Sequence, residues 1–309
     1  MNRNLKLGDV RVMLADARSH IRSTMKTALA HAGLDNVDHT GTIDVVAESM
    51  DDGLGPDILI CDMGMRDGET CDLVQAVRQH QIGKNPFLCI IGITWNPTEA
   101  EVQKVIDSGI DLLVAAPMSP KRILDRLEAL VYNRPPFIIT NDYVGPDRRK
   151  EPDREQTLPL VSVPNTLRAK ALGLWDPNTM RYEVECAVQR VNAAKIERQA
   201  EDIACIADMI FELVNNADHM PARPQIARLN DLVNTLADRA EQRGFTQISE
   251  LCQASVSVVR KMLVTDTPPA ATDIELLKQL SLAIRKAMRP DDDETSIVHD
   301  IARTVIGAR

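Results

Sequence analysis

The chain has 309 residues, a formal net charge of −9 and only 3% aromatic residues. This length is sufficient for two domains, and a core with so few aromatic side chains has to be built from Leu, Ile, Val, Ala and Met. The net negative charge disfavours general binding to nucleic acids or to anionic membranes, because both normally require a basic surface.

The cysteines and the hydropathy pattern predict a soluble protein of the cytoplasm. Six cysteines, at positions 61, 71, 89, 186, 205 and 252, show no Cys-x-x-Cys pair and no Cys/His metal spacing. Scattered cysteines inside apolar runs are typical of buried free thiols in a reducing compartment. No apolar run approaches the length of a membrane span, and the N-terminus has no long apolar segment.

Strands and helices are predicted to alternate between Val10 and Val131. Short apolar runs bounded by turn formers predict buried strands, and apolar residues at helical spacing predict the helices between them. The predicted strands are 10–15, 37–39, 58–61, 87–94 and 111–115, and the predicted helices are 18–32, 43–50, 71–79, 98–108 and 119–131. Five strand–helix units in this order predict a doubly wound parallel α/β sheet.

Polar side chains end three of these predicted strands. Asp16 follows the first apolar run, Asp62 follows the third, and Thr94 ends the fourth. In a parallel α/β sheet, ligands and chemistry gather at the carboxyl ends of the strands. The sequence therefore predicts that two carboxylates and a hydroxyl meet at one edge of the sheet.

These features resemble the receiver domain of bacterial response regulators over most of residues 1–133. The resemblance also includes Met65-x-x-Gly68 after Asp62, the Gly109 turn, and Ala116-Pro117 after the fifth strand. It implies a CheY-like, flavodoxin-like five-stranded fold. It further implies that Asp62 accepts a phosphoryl group from a sensor histidine kinase or a phosphotransfer protein.

The same resemblance implies a ligand set for the site. A carboxylate that attacks phosphorus needs its charge offset, which in this family Mg²⁺ and a lysine do. Weakly bound Mg²⁺ would be held here by Asp16, Asp62 and the backbone of Gly64. The Thr94 hydroxyl would contact the phosphoryl group and convert phosphorylation into a surface change.

The sequence departs from the family pattern at positions that matter for this chemistry. Ala15 stands where the family has a second acid, and Ala116 stands where it has the lysine. These changes weaken Mg²⁺ binding and remove a charge-assisted contact to the phosphoryl oxygens. Arg66, in place of the usual proline after Met65, is either a substitute cation or a solvated loop arginine. Two hypotheses stay open, a phosphorylated receiver and a phosphorylation-independent pseudo-receiver that acts as a scaffold.

Residues 134–174 are predicted to be a linker, because prolines and mixed charges replace periodic apolar residues. Tyr143, Arg148 and Arg149 lie within it. This cluster predicts either a phosphate clamp or docking onto an acidic surface such as that of the receiver. A solvated charge cluster is the alternative.

Residues 175–309 are predicted to form an all-α helical bundle. Apolar stripes predict a long helix from about 179 to 216, followed by helices at 226–240, 248–262, 274–288 and 297–305. The stripe of the long helix extends beyond the reach of the shorter helices, which predicts a homodimer. A break of the long helix near Ala193-Ala194 is the alternative.

Three output functions are compatible with such a bundle. A phosphotransfer domain is disfavoured because Asn234 stands where its histidine belongs, and His219 and His299 lack the surrounding motif. A DNA-binding helix-turn-helix over 246–263 is disfavoured because the turn lacks its glycine and Lys261 replaces an apolar anchor. The favoured prediction is a bundle that binds an unidentified protein target.

The sequence thus predicts a two-component response regulator with a phospho-accepting Asp62 and a non-catalytic, protein-binding helical output. Catalytic triads, zinc spacings and Walker loops are absent from the sequence, so no enzymatic activity is predicted. The pseudo-receiver scaffold and, behind it, a DNA-binding regulator are the alternatives.

Overall fold

The computed structural model describes residues 5–65, 69–95, 97–117, 119–149, 160–215, 222–242, 244–264 and 269–288. The chain divides into two compact units, Met1–Val191 and Asn192–Arg309. This boundary lies inside a helix, whereas the sequence suggested divisions after residues 133 and 174. Those finer domain limits stay a prediction.

The first unit is built on a five-stranded parallel sheet with the strand order β2-β1-β3-β4-β5. The strands are β1 (Arg11–Ala15), β2 (Asn36–Thr40), β3 (Ile58–Asp62), β4 (Cys89–Trp95) and β5 (Leu112–Ala116). The predicted fold class, a doubly wound flavodoxin-like sheet followed by helices, is confirmed.

Five helices connect and flank the strands. They are α1 (Ser19–His31), α2 (Ile43–Ser49), α3 (Glu69–Arg78), α4 (Glu99–Asp107) and α5 (Pro120–Asn133). Their ends lie close to the predicted ones because turn and capping residues mark them. At α4, for example, the Thr98 side chain accepts from the Glu101 N–H, and Glu101 accepts from the Thr98 N–H, which forms a capping box.

The core of this unit has two layers, one on each face of the sheet. Alternation along β1 places Val12 and Leu14 in one layer and Met13 and Ala15 in the other. The first layer packs against α1 and α5, and the second against α2, α3 and α4. With both faces covered, polar groups of the site are confined to the strand ends.

The predicted linker contains more regular structure than the sequence indicated. It includes β6 (Phe137–Ile139), β7 (Val144–Pro146), β8 (Leu160–Val161) and α6 (Thr166–Ala171). The three strands form an antiparallel sheet in the order β7-β6-β8. Phe137, Ile138, Ile139 and Val144 are buried, so this segment packs against the first unit instead of running free.

A buried ion network centred on Asp111, the residue before β5, packs against β6. The Asp111 carboxylate accepts from Arg78 at 2.9 Å, from Arg134 at 2.7 Å and from the Ile90 N–H at 2.8 Å. Both guanidinium groups lie over the Phe137 ring, at 5.1 and 5.0 Å from its centroid. Burial lowers the pKa of Arg78 to about 10, although Asp111 acts to raise it. Two buried cations therefore depend on one carboxylate.

The predicted docking residues of the linker bind groups of the chain itself. Arg148 donates to the Ile110 carbonyl, in the turn before β5, at 2.7 Å. Arg149 pairs with Asp147 at 3.0 Å, and the Tyr143 hydroxyl donates to the Pro146 carbonyl at 3.1 Å. Docking and phosphate-binding roles for Tyr143, Arg148 and Arg149 stay predictions.

Four helices follow: α7 (Pro177–Asn215), α8 (Ala222–Gln242), α9 (Thr246–Val264) and α10 (Ala271–Met288). In the second unit their apolar faces share one core, which includes Ile203, Ile206, Leu229, Val233, Leu251, Val259, Leu277 and Ile284. The predicted helix over 297–305 lies outside the described residues, as do His219 and His299.

Helix α7 is continuous through Ala193-Ala194, so the alternative of a break there is wrong. Val184, Val188 and Val191, whose cover the sequence left open, are buried in the single chain. The argument for a homodimer loses this premise, and the homodimer stays a prediction. Within the described part of the chain, no helix combines the length and apolarity needed to span a membrane.

Candidate functional site

The predicted site residues lie at the carboxyl edge of the parallel sheet. Asp16 directly follows β1, Asp62 ends the neighbouring β3, and Thr94 belongs to β4 on the other side of β3. All three are buried, with relative exposures of 1%, 7% and 7%. Strand register alone brings these residues to one edge, because β1 and β4 both pair with β3.

The closest partner of the two carboxylates is Arg18, which the sequence analysis did not single out. Its Nε donates to Asp16 Oδ1 at 2.9 Å, and its Nη2 donates to Asp16 Oδ2 at 2.7 Å. The same Nη2 lies 2.7 Å from Asp62 Oδ2. One guanidinium therefore binds Asp16 in a bidentate fork and bridges to Asp62.

The position of Arg18 is fixed by its backbone and by an aromatic ring. Its backbone N–H donates to Asp16 Oδ1 at 2.8 Å, and its extended conformation caps the start of α1. The guanidinium carbon lies 4.3 Å from the centroid of the Trp95 ring, within the range of a cation–π contact. Hydrogen bonding to Asp16 raises the pKa of Arg18, so the group is a permanent cation.

Asp62 experiences opposing influences on its charge. Burial raises the pKa of this carboxyl group above its ordinary value, and the nearby Asp16 raises it further. The Gly64 N–H, which donates to Asp62 Oδ1 at 3.1 Å, and Arg18 both lower it. The Gly64 N–H thus contacts Asp62, and the Mg²⁺ contact predicted for the Gly64 backbone stays a prediction.

Thr94 carries a buried hydroxyl whose Oγ1 has no hydrogen-bond partner within the described residues. Buried polar atoms are nearly always paired, so an unpaired one commonly marks a place for a ligand or water. Thr70 behaves differently, because its hydroxyl is paired with the Asp62 and Met65 carbonyls and closes the loop after β3.

The two alanines that depart from the family pattern leave apolar surroundings. Ala15 is buried in the core layer, and Ala116 borders a cavity of about 150 Å³ beside Asp16. The cavity lining is apolar except for Asp16 and Thr24, and it includes Ile21, Met25, Ala28, Ile93, Trp95, Pro117 and Ile123. None of the described residues that line this cavity is a lysine. Arg66, the predicted substitute cation, lies outside the described residues.

Receiver domains commonly bind Mg²⁺ at the phosphorylation site, and the fit of this ion can be tested on the donor set. Mg²⁺ requires near-octahedral oxygen ligands at about 2.0–2.1 Å. Here both carboxylates are engaged by Arg18, and no group of three or more His, Cys, Asp or Glu in the described parts of the chain is arranged to hold a metal. These residues, in this arrangement, do not fit Mg²⁺.

Comparison with known proteins agrees with this geometry. The family model of the response regulator receiver domain matches residues 12–128. No curated protein matches the chain in sequence at a significant level.

The chain is similar to several solved structures. RcsB from Salmonella enterica serovar Typhimurium, bound to promoter rprA in the presence of phosphomimetic BeF3⁻, is 23% identical; the match covers 39% of this chain and 67% of RcsB, with a TM-score of 0.34. The chemotaxis response regulator CheY4 of Vibrio cholerae is 22% identical over 39% of this chain and 98% of its own, with a TM-score of 0.34. The response regulator DrrB of Thermotoga maritima is 15% identical. The match covers 60% of this chain and 89% of DrrB, also with a TM-score of 0.34.

The assignment depends on the family model together with the sheet order and the placement of Asp62 at the end of β3. Residues 12–128 of this chain are therefore a receiver domain of the response-regulator family.

Proposed function

We propose that this protein is a response regulator in which Asp62 accepts a phosphoryl group and the helical region is a non-catalytic, protein-binding output. The observation that carries the proposal is the 2.7 Å contact between Asp62 Oδ2 and the Arg18 guanidinium. A carboxylate nucleophile and an adjacent cation are what attack on a negatively charged phosphorus requires.

The transfer itself needs few groups of the chain. One oxygen of Asp62 attacks phosphorus, the bond from phosphorus to the histidine nitrogen of the donor breaks, and an acyl phosphate forms. Receiver domains interact with histidine kinases or phosphotransfer proteins, so a donor of this class is proposed here. The unpaired Thr94 hydroxyl supplies a hydrogen bond to a phosphoryl oxygen on Asp62.

The helical region supports protein binding better than DNA binding. Residues 246–263, the candidate helix-turn-helix, form the uninterrupted helix α9. A helix-turn-helix requires a turn between its two helices. Lys261, in addition, pairs with Asp273 at 2.9 Å. Large apolar side chains are exposed in this unit, namely Met209, Val264 and Leu282.

A phosphorylation-independent scaffold is the second candidate, and a specific observation favours it. Asp62 is already paired with Arg18, while Ala15 and Ala116 supply neither the second acid nor the lysine of the family. In this case the receiver fold presents a docking surface whose state does not depend on Asp62.

Incubation of the full chain with acetyl phosphate, followed by intact mass measurement, tests the proposed function. We expect a gain of one phosphoryl group that disappears in Asp62→Asn and persists in Asp38→Asn, which changes an exposed carboxylate on β2. No gain in the wild-type chain, with or without Mg²⁺, together with unchanged partner binding by Asp62→Asn, would establish the scaffold instead.

A further inference from the structure

Arg18 occupies the position between the two carboxylates that a divalent ion would need. Its Nη2 lies 2.7 Å from an oxygen of Asp16 and 2.7 Å from an oxygen of Asp62, and its Nε binds the second oxygen of Asp16. A metal ion placed between Asp16 and Asp62 would have to displace these contacts.

The site also lacks the residues that would favour a metal over the arginine. Ala15 removes one carboxylate, so a divalent ion would gain one charged ligand fewer. The Arg18 guanidinium offsets one of the two carboxylate charges, so the net charge that attracts a metal ion falls from −2 to −1. The Trp95 ring adds a cation–π contact, with its centroid 4.3 Å from the guanidinium carbon of Arg18.

We propose that Arg18 is the resident cation of the acidic pocket, which replaces Mg²⁺ at Asp16 and Asp62 and makes phosphoryl acceptance independent of divalent metal. This inference rests on the proposed role of Asp62 as the acceptor. On transfer from acetyl phosphate, an Asp62 oxygen forms the new bond to phosphorus and acetate leaves with the electrons of the broken bond. The Arg18 fork then binds the phosphoryl oxygens, as guanidinium groups do with phosphates.

Arg22 provides a matched control for Arg18. It lies one turn further along α1, and its Nη1 donates to the backbone carbonyls of Asp16 at 2.6 Å and Ala17 at 3.1 Å. Its guanidinium thus binds backbone carbonyls at the same edge of the sheet and bridges no carboxylates. Arg22→Ala removes one positive charge from this edge, as Arg18→Ala does, and leaves the bridge between the carboxylates in place.

Metal binding is measured first, because it does not depend on phosphorylation. Trp95 contacts Arg18 and is 42% exposed, so its fluorescence reports on the pocket. We expect no response to millimolar Mg²⁺ in the wild-type chain or in Arg22→Ala, and a saturable response in Arg18→Ala that is lost when Trp95→Phe is added. A wild-type chain that responds like Arg18→Ala, or an Arg18→Ala chain that does not respond, would overturn the inference.

Phosphorylation by acetyl phosphate is then compared in EDTA and in Mg²⁺. We expect the wild-type rate to be the same in both, and the Arg18→Ala rate in EDTA to be lower by about tenfold or more. Arg18→Lys retains the charge without the fork, so its rate in EDTA should lie between them. Unfolding curves of each variant establish that it is folded.

The two proposals fail in different ways. Wild-type phosphorylation that requires Mg²⁺ overturns the metal-independent role of Arg18 and leaves Asp62 as the acceptor. No phosphorylation under either condition overturns the acceptor role of Asp62, and with it the catalytic part of the inference, whatever the fluorescence titration gives.

Discussion

At the scale of single residues, the first unit relies on two sites where arginine offsets buried carboxylates. At the carboxyl edge of the sheet, Arg18 pairs with both Asp16 and Asp62. At the opposite edge, where the strands begin, one carboxylate pairs with two arginines: Asp111 binds Arg78 and Arg134. A buried ion is tolerable only when its partner is present, so each of these sites is sensitive to the loss of one group.

The Asp111 site yields a stability prediction. Asp111→Ala leaves two buried guanidinium groups without their carboxylate and should lower the free energy of unfolding by about 3–5 kcal/mol. Asp38→Ala, on the exposed side of β2, should change it by no more than ~0.5 kcal/mol. Urea unfolding followed by circular dichroism measures both values. Equal, small losses would show that the network does not hold this edge together.

The cysteines yield a reactivity prediction. Burial raises the pKa of the Cys89 and Cys252 thiols to about 12, and it raises the pKa of Cys61 as well. Cys205 is exposed, and the six thiols are free. Because the thiolate is the reactive form, maleimide at neutral pH should modify Cys205 rapidly and these three only after unfolding. Peptide mapping after timed labelling checks this, with Cys205→Ser as the control. Rapid labelling of Cys89 in the folded chain would contradict the packing described here.

Single residues also show what the sequence could and could not predict. Asp16, Asp62 and Thr94 were found because each ends an apolar run, and parallel strands bring their ends to one edge. Arg18 was predicted only as the first residue of a helix, because the periodicity of apolar residues does not show the direction of a long side chain. A signal was available, since an arginine two residues after a site carboxylate can fold back onto it.

At the scale of elements, the hairpin of β6 and β7 approaches the turn before β5 closely. Gly109 has a φ of +94°, and a Cβ there would lie 2.6 Å from the Val144 carbonyl oxygen. Gly33 has a similar φ of +89°, but a Cβ there would meet nothing within 4 Å. Comparing alanine substitutions at Gly33 and Gly109 therefore separates the cost of backbone strain from the cost of a clash with the hairpin.

The two glycines should therefore differ in their tolerance of alanine. Gly33→Ala should lower the free energy of unfolding by about 1–2 kcal/mol, because alanine must adopt the left-handed conformation. Gly109→Ala should lower it by this amount and by a further steric cost of roughly 1–3 kcal/mol, because Val144 is held in the hairpin. Thermal or urea unfolding of both variants measures the difference. If Gly109→Ala were no worse than Gly33→Ala, the hairpin would not be packed on this turn in solution.

The elements of the parallel sheet were predicted well, and those of the segment after it were not. Each strand of the sheet is a buried apolar run, so its pattern is strong. The strands β6 and β7 are only three residues long and are flanked by prolines. Phe137 of β6 contacts the buried guanidinium of Arg78, which is distant in sequence, so no local pattern reveals this packing.

At the scale of the whole molecule, α7 is the element that belongs to both units. It runs from Pro177 to Asn215, through the boundary between Val191 and Asn192. If phosphorylation of Asp62 changes the helical region, we expect a continuous α7 to be required. Ala193→Pro, which breaks a helix at a cost of ~3 kcal/mol, should abolish such a change.

Hydrogen exchange of α8–α10 before and after acetyl phosphate measures this coupling. The wild-type chain should change its exchange rates on phosphorylation, and Asp62→Asn and Ala193→Pro should not. Ala193→Gly, which weakens the helix by only about 1 kcal/mol, serves as the control and should behave like the wild-type chain. A full response in Ala193→Pro would show that α7 does not transmit the signal.

The most direct test of the account is a crystal structure of the full chain grown at high Mg²⁺ concentration. We predict that the Arg18 guanidinium remains within hydrogen-bond distance of oxygens of both Asp16 and Asp62, with no metal ion between them. An octahedrally coordinated Mg²⁺ on these two carboxylates, with Arg18 turned away towards solvent, would contradict it.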